Sequence, residues 1–152
     1  MEVIAIFRGD YEFLSNYYEV PVLYEGVLYG SSEAAFQASK SLNPVEREMF
    51  AQLRPHQSKQ AGRDLLLRED WEEVKVSVME DILRAKFTQN PDLMEKLSAT
   101  KQALLVEGNN WKDTFWGFDY LLGYGKNMLG QLLMKIRAEY QGKLRPVYTT
   151  TH

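Results

Sequence analysis

The chain of 152 residues contains no cysteine and only two histidines, His56 and His152. Without thiols it can form neither a disulfide bond nor a thiolate metal site, and it has no cysteine nucleophile. Two histidines far apart in the chain do not supply the ligands of a zinc site, so we expect neither a metal nor another cofactor. A Ser-His-Asp triad would have to use His56, which follows Pro55 and has no nucleophile-elbow motif nearby.

Long apolar runs are also missing, because no segment approaches the roughly 20 apolar residues that a membrane helix needs. The first residues, 1–7, lack the basic flank of a signal peptide and favour a strand. Eighteen basic and twenty-one acidic residues give a net charge of −3, which does not favour nonspecific binding to long nucleic acid. We therefore predict a cytoplasmic protein that makes no membrane contact.

The composition that remains is typical of one globular domain, with 45% hydrophobic and 26% charged residues. Helical spacing of apolar residues dominates beyond residue 40, and two β-rich segments flank a turn at Glu25-Gly26. These patterns predict a single, mostly helical α+β domain with a small antiparallel sheet. We assign this domain to residues 1–142 and a loose C-terminal tail to residues 143–152.

The predicted elements follow from hydrophobic periodicity, capping residues and prolines. Strands are expected at 3–7, 20–24, 27–29 and 103–106. Helices are expected at 32–40, 44–53, 57–67, 69–89, 92–97 and 128–140. The buried stripe of the long helix is predicted to contain Trp71, Val74, Val78, Ile82 and either Leu83 or Ala85. The last helix is predicted to turn Leu129, Leu132, Leu133 and Ile136 inward.

The first helix carries a carboxylate, an amide and an amine on one face. Glu33, Gln37 and Lys40 stand at positions i, i+4 and i+7 of its sequence. A carboxylate and an amine held on one rigid face can exchange protons, and each can shift the pKa of the other. This spacing indicates a catalytic face, and an ordinary solvated ion pair is the competing interpretation.

A second informative segment, 105–117, places aromatic and acidic residues together in an irregular stretch after a strand. Trp111 and Trp116 lie there with Glu107 and Asp113. Aromatic surface in a loop favours a pocket wall that offers flat rings to a base, with carboxylates beside it. The alternative is that both tryptophans only attach the loop to the core.

A third segment places two glycines before the last helix. In residues 123–130, the backbone amides around Gly125, Lys126 and Asn127 are expected to receive an anion such as a phosphate. Lys126 would add a positive charge, while capping of the helix is the alternative role of Asn127. Arg63 is a further candidate phosphate ligand or a surface charge.

Several short motifs in this order point to a known family. They are Phe13-Leu14-Ser15-Asn16, Ser32-Glu33-Ala34-Ala35-Phe36-Gln37-Ala38-Ser39-Lys40, Gly62-Arg63, Asp70-Trp71, Arg84-Ala85-Lys86-Phe87, Leu105-Val106-Glu107, Asp113-Thr114-Phe115-Trp116-Gly117 and Gly125-Lys126-Asn127-Met128-Leu129-Gly130. From about residue 13 to residue 137 the chain resembles the NADAR family, also called the YbiA-like or riboflavin-intermediate N-glycosidase family. It departs from relatives at Ala34-Ala35, where a histidine and an aromatic residue often stand.

The resemblance implies an enzyme that cleaves the N-glycosidic bond between C1′ of a ribose and a nitrogen leaving group. The implied substrates are ADP-ribose attached to guanine, in modified DNA or as a free base, and phosphorylated riboflavin-pathway intermediates. A non-catalytic module that binds ADP-ribose is the alternative. The family's polar active-site positions map onto Glu33, Trp71 and Asp113, and its lysine matches Lys40 or Lys86.

The chemistry of such a cleavage assigns roles to these residues. The ribose develops oxocarbenium-like charge, which a carboxylate stabilises. We predict that Lys40, or alternatively Lys86, attacks C1′ and forms a Schiff base, with Glu33 moving protons and Asp113 orienting a ribose hydroxyl or water. The predicted substrate-binding residues are Asn16, Gln37, Arg63, Trp71, Trp111, Trp116, Gly125, Lys126 and Asn127.

Overall fold

The computed structural model of the chain describes residues 1–144, which form six strands and six α-helices. The strands are β1 (Val3–Ile4), β2 (Glu19–Tyr24), β3 (Val27–Ser31), β4 (Leu104–Leu105), β5 (Gly108–Asn109) and β6 (Phe118–Asp119). The helices are α1 (Ser32–Ala38), α2 (Pro44–Phe50), α3 (Pro55–Arg63), α4 (Trp71–Gln89), α5 (Pro91–Ala99) and α6 (Met128–Leu144). Residues 143 and 144, predicted to begin the tail, thus belong to α6, and the rest of the predicted tail, 145–152, lies outside the described residues.

The strands form three separate two-stranded sheets. The predicted antiparallel hairpin is confirmed as β2 and β3, whose turn residues Glu25 and Gly26 have φ angles of 48° and 83°. Two positive φ angles give the turn the twist that a two-residue hairpin requires. The other sheets, β1 with β4 and β5 with β6, are parallel and were not predicted. Val3 pairs with Leu104, and no local pattern encodes a contact over such a sequence separation.

Each predicted helix is present, with boundaries set by caps and prolines. The Ser31 hydroxyl accepts a hydrogen bond from the Ala34 amide at 3.1 Å and so fixes the start of α1. Asn43 caps α2 through the Val45 amide at 2.9 Å, and prolines occupy the first positions of α2, α3 and α5. Helix α1 ends at Ala38, α2 at Phe50 and α3 at Arg63, all earlier than predicted, so Lys40 lies in the turn after α1 and not on the helix as predicted.

Helices α4 and α6 supply much of the core. The predicted inward residues of α6 are all buried: Leu129, Leu132, Leu133 and Ile136. In α4, Trp71, Val78 and Ile82 are buried as predicted, Leu83 is buried in preference to Ala85, and Val74 is half-buried. The same face also buries Met79, Lys86 and Phe87. Among residues 1–144, none of the helices combines the length and apolar character that crossing a membrane requires.

Candidate active site

A cavity of about 420 Å³ opens between α1, the irregular segment before β2 and the segment that follows β4. The sequence-predicted residues that line it are Asn16, Glu33, Gln37, Lys40, Trp111, Asp113 and Trp116. Segments far apart in sequence therefore bring the amine, the amide, the carboxylates and the indole rings together. This convergence makes the cavity the candidate active site.

Helix α1 holds its polar side chains through a short network at its first turn. Gln37 Nε2 donates to Glu33 Oε1 at 2.8 Å, along the predicted i, i+4 face. The Glu33 amide donates to the Asn16 carbonyl at 3.1 Å, and the Ser32 hydroxyl donates to Asn16 Oδ1 at 2.8 Å. Asn16 thereby attaches the preceding loop to α1 and sets the depth at which Glu33 faces the cavity.

Burial and neighbouring charges act on Glu33 and Lys40 in opposite directions. Burial raises the pKa of Glu33, which is 7% exposed, although Gln37 and the cations Lys59 and Lys40 oppose this shift. Burial lowers the pKa of the half-buried Lys40, and the positive charges of Arg63 and Lys59 lower it further against the pull of Glu33. A lysine with a lowered pKa supplies more free amine, which is the nucleophilic form.

Side chains, not secondary structure, determine the backbone conformation of the opposite wall. Asn109 Oδ1 accepts hydrogen bonds from the Trp111 and Asp113 amides, and its Nδ2 donates to the Asp113 carbonyl at 2.8 Å. Asp113 Oδ1 accepts from the Trp116 amide at 3.0 Å, while Asp119 accepts from three other amides of this loop. Irregular backbone near the interior is satisfied in this way.

The three tryptophans occupy different depths. Trp111 is 53% exposed at the mouth of the cavity, whereas Trp116 is half-buried and meets Phe36 edge-on with ring centroids 5.3 Å apart. Trp71 is 5% exposed and also packs against Phe36, with ring centroids 5.1 Å apart. Because Trp71 is not part of the cavity lining, the structure gives it the place of a support for Phe36 and not of a ring that stacks on substrate.

Lys86, the alternative nucleophile, lies behind Ser15, a residue of the cavity lining. It is fully buried on α4, and its Nζ donates to the Ser15 carbonyl at 2.9 Å. Ser15 lines the cavity while Lys86 does not, so a cavity-bound ribose would contact Ser15 first. Burial lowers the pKa of Lys86 to about 7, and the charge of Glu107 opposes this shift.

The segment before α6 does not form the predicted anion-binding site. The amides of Lys126 and Asn127 donate to the carbonyls of Thr114 and Gly117, so they are not available to an anion. Gly125 packs so closely on the Gly117 backbone that a side chain there would overlap it. The predicted phosphate cradle at Gly125, Lys126 and Asn127 is thus at odds with the structure, and these residues lie outside the cavity.

Asn127, the residue before α6, instead connects α6 to the end of β4 and to the residues between β4 and β5. With a φ angle of 52°, it donates through Nδ2 to the Leu105 carbonyl at 2.9 Å and accepts through Oδ1 from the Glu107 amide at 2.9 Å. The residue that was predicted to touch phosphate therefore holds the backbone of the loop wall. The alternative role, a side-chain cap of α6, is not observed either, because Asn127 Oδ1 accepts from Glu107 and not from an amide in the first turn of α6.

Three charged residues with functional positions escaped the sequence-based selection. Lys59 and Arg8 line the cavity, and Glu107, noted only as part of the loop, lines it as well. The signal for Lys59 was its place one helical turn before Arg63. Arg63 itself is exposed and outside the lining, yet its charge acts on Lys40 and on Tyr17, which places it near the rim.

Comparison with known proteins identifies the family. The family model of the NADAR domain matches residues 6–141, and the chain belongs to this family. It is similar to N-glycosidase YbiA of Escherichia coli (strain K12), with 41% identity over 133 residues, 86% of this chain and 82% of that protein. It is also similar to riboflavin biosynthesis protein VVA0006 of Vibrio vulnificus (strain YJ016), with 37% identity over 137 residues, 87% of this chain and 36% of that protein.

A solved structure agrees with this assignment. The NMR structure of the E. coli protein YbiA matches with a TM-score of 0.85 and 36% identity, covering 99% of this chain and 92% of that chain. The predicted family and the mixed α+β fold are confirmed. The predicted enzyme class, a hydrolase of N-glycosyl bonds, is confirmed at the same level.

Proposed function

We propose that this enzyme hydrolyses the bond between C1′ of a phosphorylated ribose and a nitrogen leaving group, with N-linked ADP-ribose, as on guanine, as its substrate. The observation that carries the proposal is the convergence of Lys40, Glu33 and Asp113 on one cavity. An amine with a lowered pKa beside carboxylates matches a reaction that needs a nucleophile and a group that moves protons.

In the proposed first step, the free amine of Lys40 attacks C1′ while the bond from C1′ to the leaving nitrogen breaks. The leaving nitrogen takes a proton, and the Lys40 nitrogen gives one to Glu33. The C1′–O4′ bond then opens as the Schiff base forms, and O4′ takes the proton from Glu33 and becomes a hydroxyl. Water, oriented by Asp113, adds to C1′, the Lys40 amine leaves and the ribose ring closes.

The charges and rings around the cavity support a substrate with phosphates and a base. Arg8 and Lys59 line it, and Arg63 lies close enough for its charge to act on Lys40, so a diphosphate would meet several cations. The exposed ring of Trp111 offers a stacking surface to a base at the mouth. A base adduct in DNA would have to be flipped out to reach this cavity.

A second candidate is a phosphoribosyl-aminopyrimidine, an intermediate of riboflavin synthesis. The relative from Vibrio vulnificus is named a riboflavin biosynthesis protein, and so is the relative from Arabidopsis thaliana. Such a substrate presents the same C1′–N bond and one phosphate, which the same cations would bind.

The experiment offers both substrates side by side and measures the products by mass spectrometry, with sodium borohydride in a parallel sample. We expect release of ADP-ribose from ADP-ribosylated guanine oligonucleotide, and a reduced adduct on Lys40. Release of ribose phosphate alone would select the second candidate. Release without an adduct would replace the Schiff base by direct attack of water, and no release with ADP-ribose binding would indicate a binding module.

A further inference from the structure

The mechanism above leaves one acidic side chain of the cavity without a role. Glu107 lines the cavity, its Oε2 is buried, and this oxygen accepts no hydrogen bond from any residue between 1 and 144. Buried carboxylate oxygens in native proteins nearly always have a donor. Because no donor stabilises a negative charge at this buried oxygen, Glu107 favours the protonated form of its carboxyl group.

The two cavity glutamates differ in their surroundings. Glu33 receives a hydrogen bond from Gln37, which stabilises its ionised form, and Lys40 and Lys59 add positive charge. The charged groups that act on Glu107 are Asp113 and Glu33, which disfavour a further negative charge, and Lys59 and Lys86, which favour it. Burial and the two carboxylates raise the pKa of Glu107 to about 7.

The backbone holds Glu107 firmly in this place. Its amide donates to Asn127 Oδ1 at 2.9 Å, and its carbonyl accepts from the Phe118 amide at 2.9 Å. Glu107 thus lines the cavity on a fixed backbone, and its carboxyl group has no donor at Oε2, as expected of an acid that acts on bound substrate.

We propose that Glu107 is a further catalytic residue, the acid that contacts the leaving group and protonates its nitrogen. This inference rests on the proposed N-glycosidase mechanism. As the C1′–N bond breaks, its electron pair stays on the nitrogen, which takes the proton from the Glu107 carboxyl group and leaves a carboxylate. The water that later resolves the Lys40 adduct returns a proton to Glu107, so the enzyme ends as it began. Glu33 thus acts as the base and Glu107 as the acid of this step.

The test compares Glu107→Gln and Glu107→Asp with the wild-type enzyme on whichever of the two substrates the wild-type enzyme cleaves. Glu48→Gln, an exposed glutamate on α2, is the matched control. We expect Glu107→Gln to lower kcat by about 100- to 10,000-fold, as for loss of a general acid. Affinity for ADP-ribose or ribose 5-phosphate, measured by calorimetry, should stay unchanged, and Glu107→Asp should regain part of the rate.

The pH profile separates this role from a structural one. A protonated Glu107 is present below its pKa, so wild-type kcat/KM should fall as the pH rises through about 7. Glu107→Gln should lose this alkaline limb, and Glu107→Asp should keep it. A Glu107→Gln enzyme with near-normal kcat, with the limb unchanged or with lost ligand affinity would overturn the proposal. Inactivity of the wild-type enzyme on both substrates would instead contradict the proposed function.

Discussion

The two walls of the cavity are built in different ways. The helical wall consists of Glu33 and Gln37, which take their geometry from α1 and its cap at Ser31, and Lys40, which lies in the turn directly after α1. The loop wall, formed by Glu107, Trp111 and Asp113, takes its geometry from side-chain hydrogen bonds of residues such as Asn109 and Asn127. One wall of the cavity is therefore fixed by contacts that are local in the sequence, and the other wall by contacts that include residues far apart in the sequence.

The walls also differ in their electrostatics. The glutamate of the helical wall accepts a hydrogen bond from a neighbour on its own helix, whereas Oε2 of the loop-wall glutamate has no donor among the described residues. The amine belongs to the helical wall and the exposed indole to the loop wall. This division predicts that changes in the helical wall act on the nucleophile and the base, and that changes in the loop wall act on the acid, on the attacking water and on substrate binding.

The largest effect is expected from Lys40→Ala. If Lys40 is the nucleophile, the variant should lose at least about 1000-fold in kcat, as other enzymes do without theirs. The borohydride adduct should disappear with it, which mass spectrometry of the intact protein measures.

Two other lysine variants are the controls for Lys40→Ala. Lys135→Ala, at an exposed residue of α6 that pairs with Glu80, should retain both turnover and adduct. Lys86→Met should retain the adduct, because Lys86 is buried behind Ser15 and does not line the cavity. An adduct found on Lys86 would transfer the nucleophile to α4 and contradict the assignment of chemistry to the helical wall.

The next largest effect is expected from Asn127→Ala, which removes the bridge behind the loop wall. The Glu107 amide and the Leu105 carbonyl would lose their partner, and alanine is strained at a φ angle of 52°. We expect the free energy of unfolding to fall by about 2–4 kcal/mol, and kcat to fall with the displacement of Glu107. Urea unfolding and turnover measure the two quantities.

Asn110→Ala, at an exposed position of the same loop, is the control and should change neither quantity. Asn127→Gly relieves the backbone strain while removing the side chain. If Asn127→Gly is as stable and active as the wild type, the hydrogen bonds of Asn127 do not hold the loop wall.

The contrast between the walls also explains what the sequence could predict. The spacing of Glu33 and Gln37 predicted their shared face because a helix converts sequence distance into direction, whereas Lys40 reaches the same cavity from the turn after α1. The function of Asn127 escaped prediction because its partners, Leu105 and Glu107, are fixed only once α6 packs on β4. The parallel pairing of β1 with β4 escaped for the same reason. Motif resemblance identified the family, but it did not separate residues that line the cavity from those that support it, such as Trp71.

A smaller effect on the chemical step is expected from Gly62→Ala in α3. A Cβ atom at Gly62 would overlap Gln37 Oε1, so the substitution must move the side chain that donates to Glu33. We expect kcat to fall about 10- to 100-fold, because small displacements of positioned groups cost that much. Loss of the Gln37 donor also raises the pKa of Glu33, so the acidic limb of the pH profile should move to higher pH.

Two further variants decide whether Gly62 acts through Gln37. Gly142→Ala, at a helical glycine with nothing within 4 Å, should leave kcat unchanged. Gly62→Ala should add no further loss in a Gln37→Ala background, as a double-mutant cycle would reveal. Additive losses would mean that Gly62 supports α3 in a way unrelated to Gln37.

The smallest effect is expected from Trp111→Ala at the mouth of the loop wall. Trp111 is 53% exposed and lines the cavity, so its ring can cover a base without taking part in the core. Loss of one base stack should raise KM by about 10-fold and leave kcat nearly unchanged, because the ring is distant from the reacting bond. Trp111→Phe should restore part of the affinity, and Tyr120→Ala, at an exposed aromatic residue outside the cavity, should not change KM. If Trp111→Ala lowered kcat at constant KM, Trp111 would act on the chemical step, and its role as a stacking surface for the base would have to be abandoned.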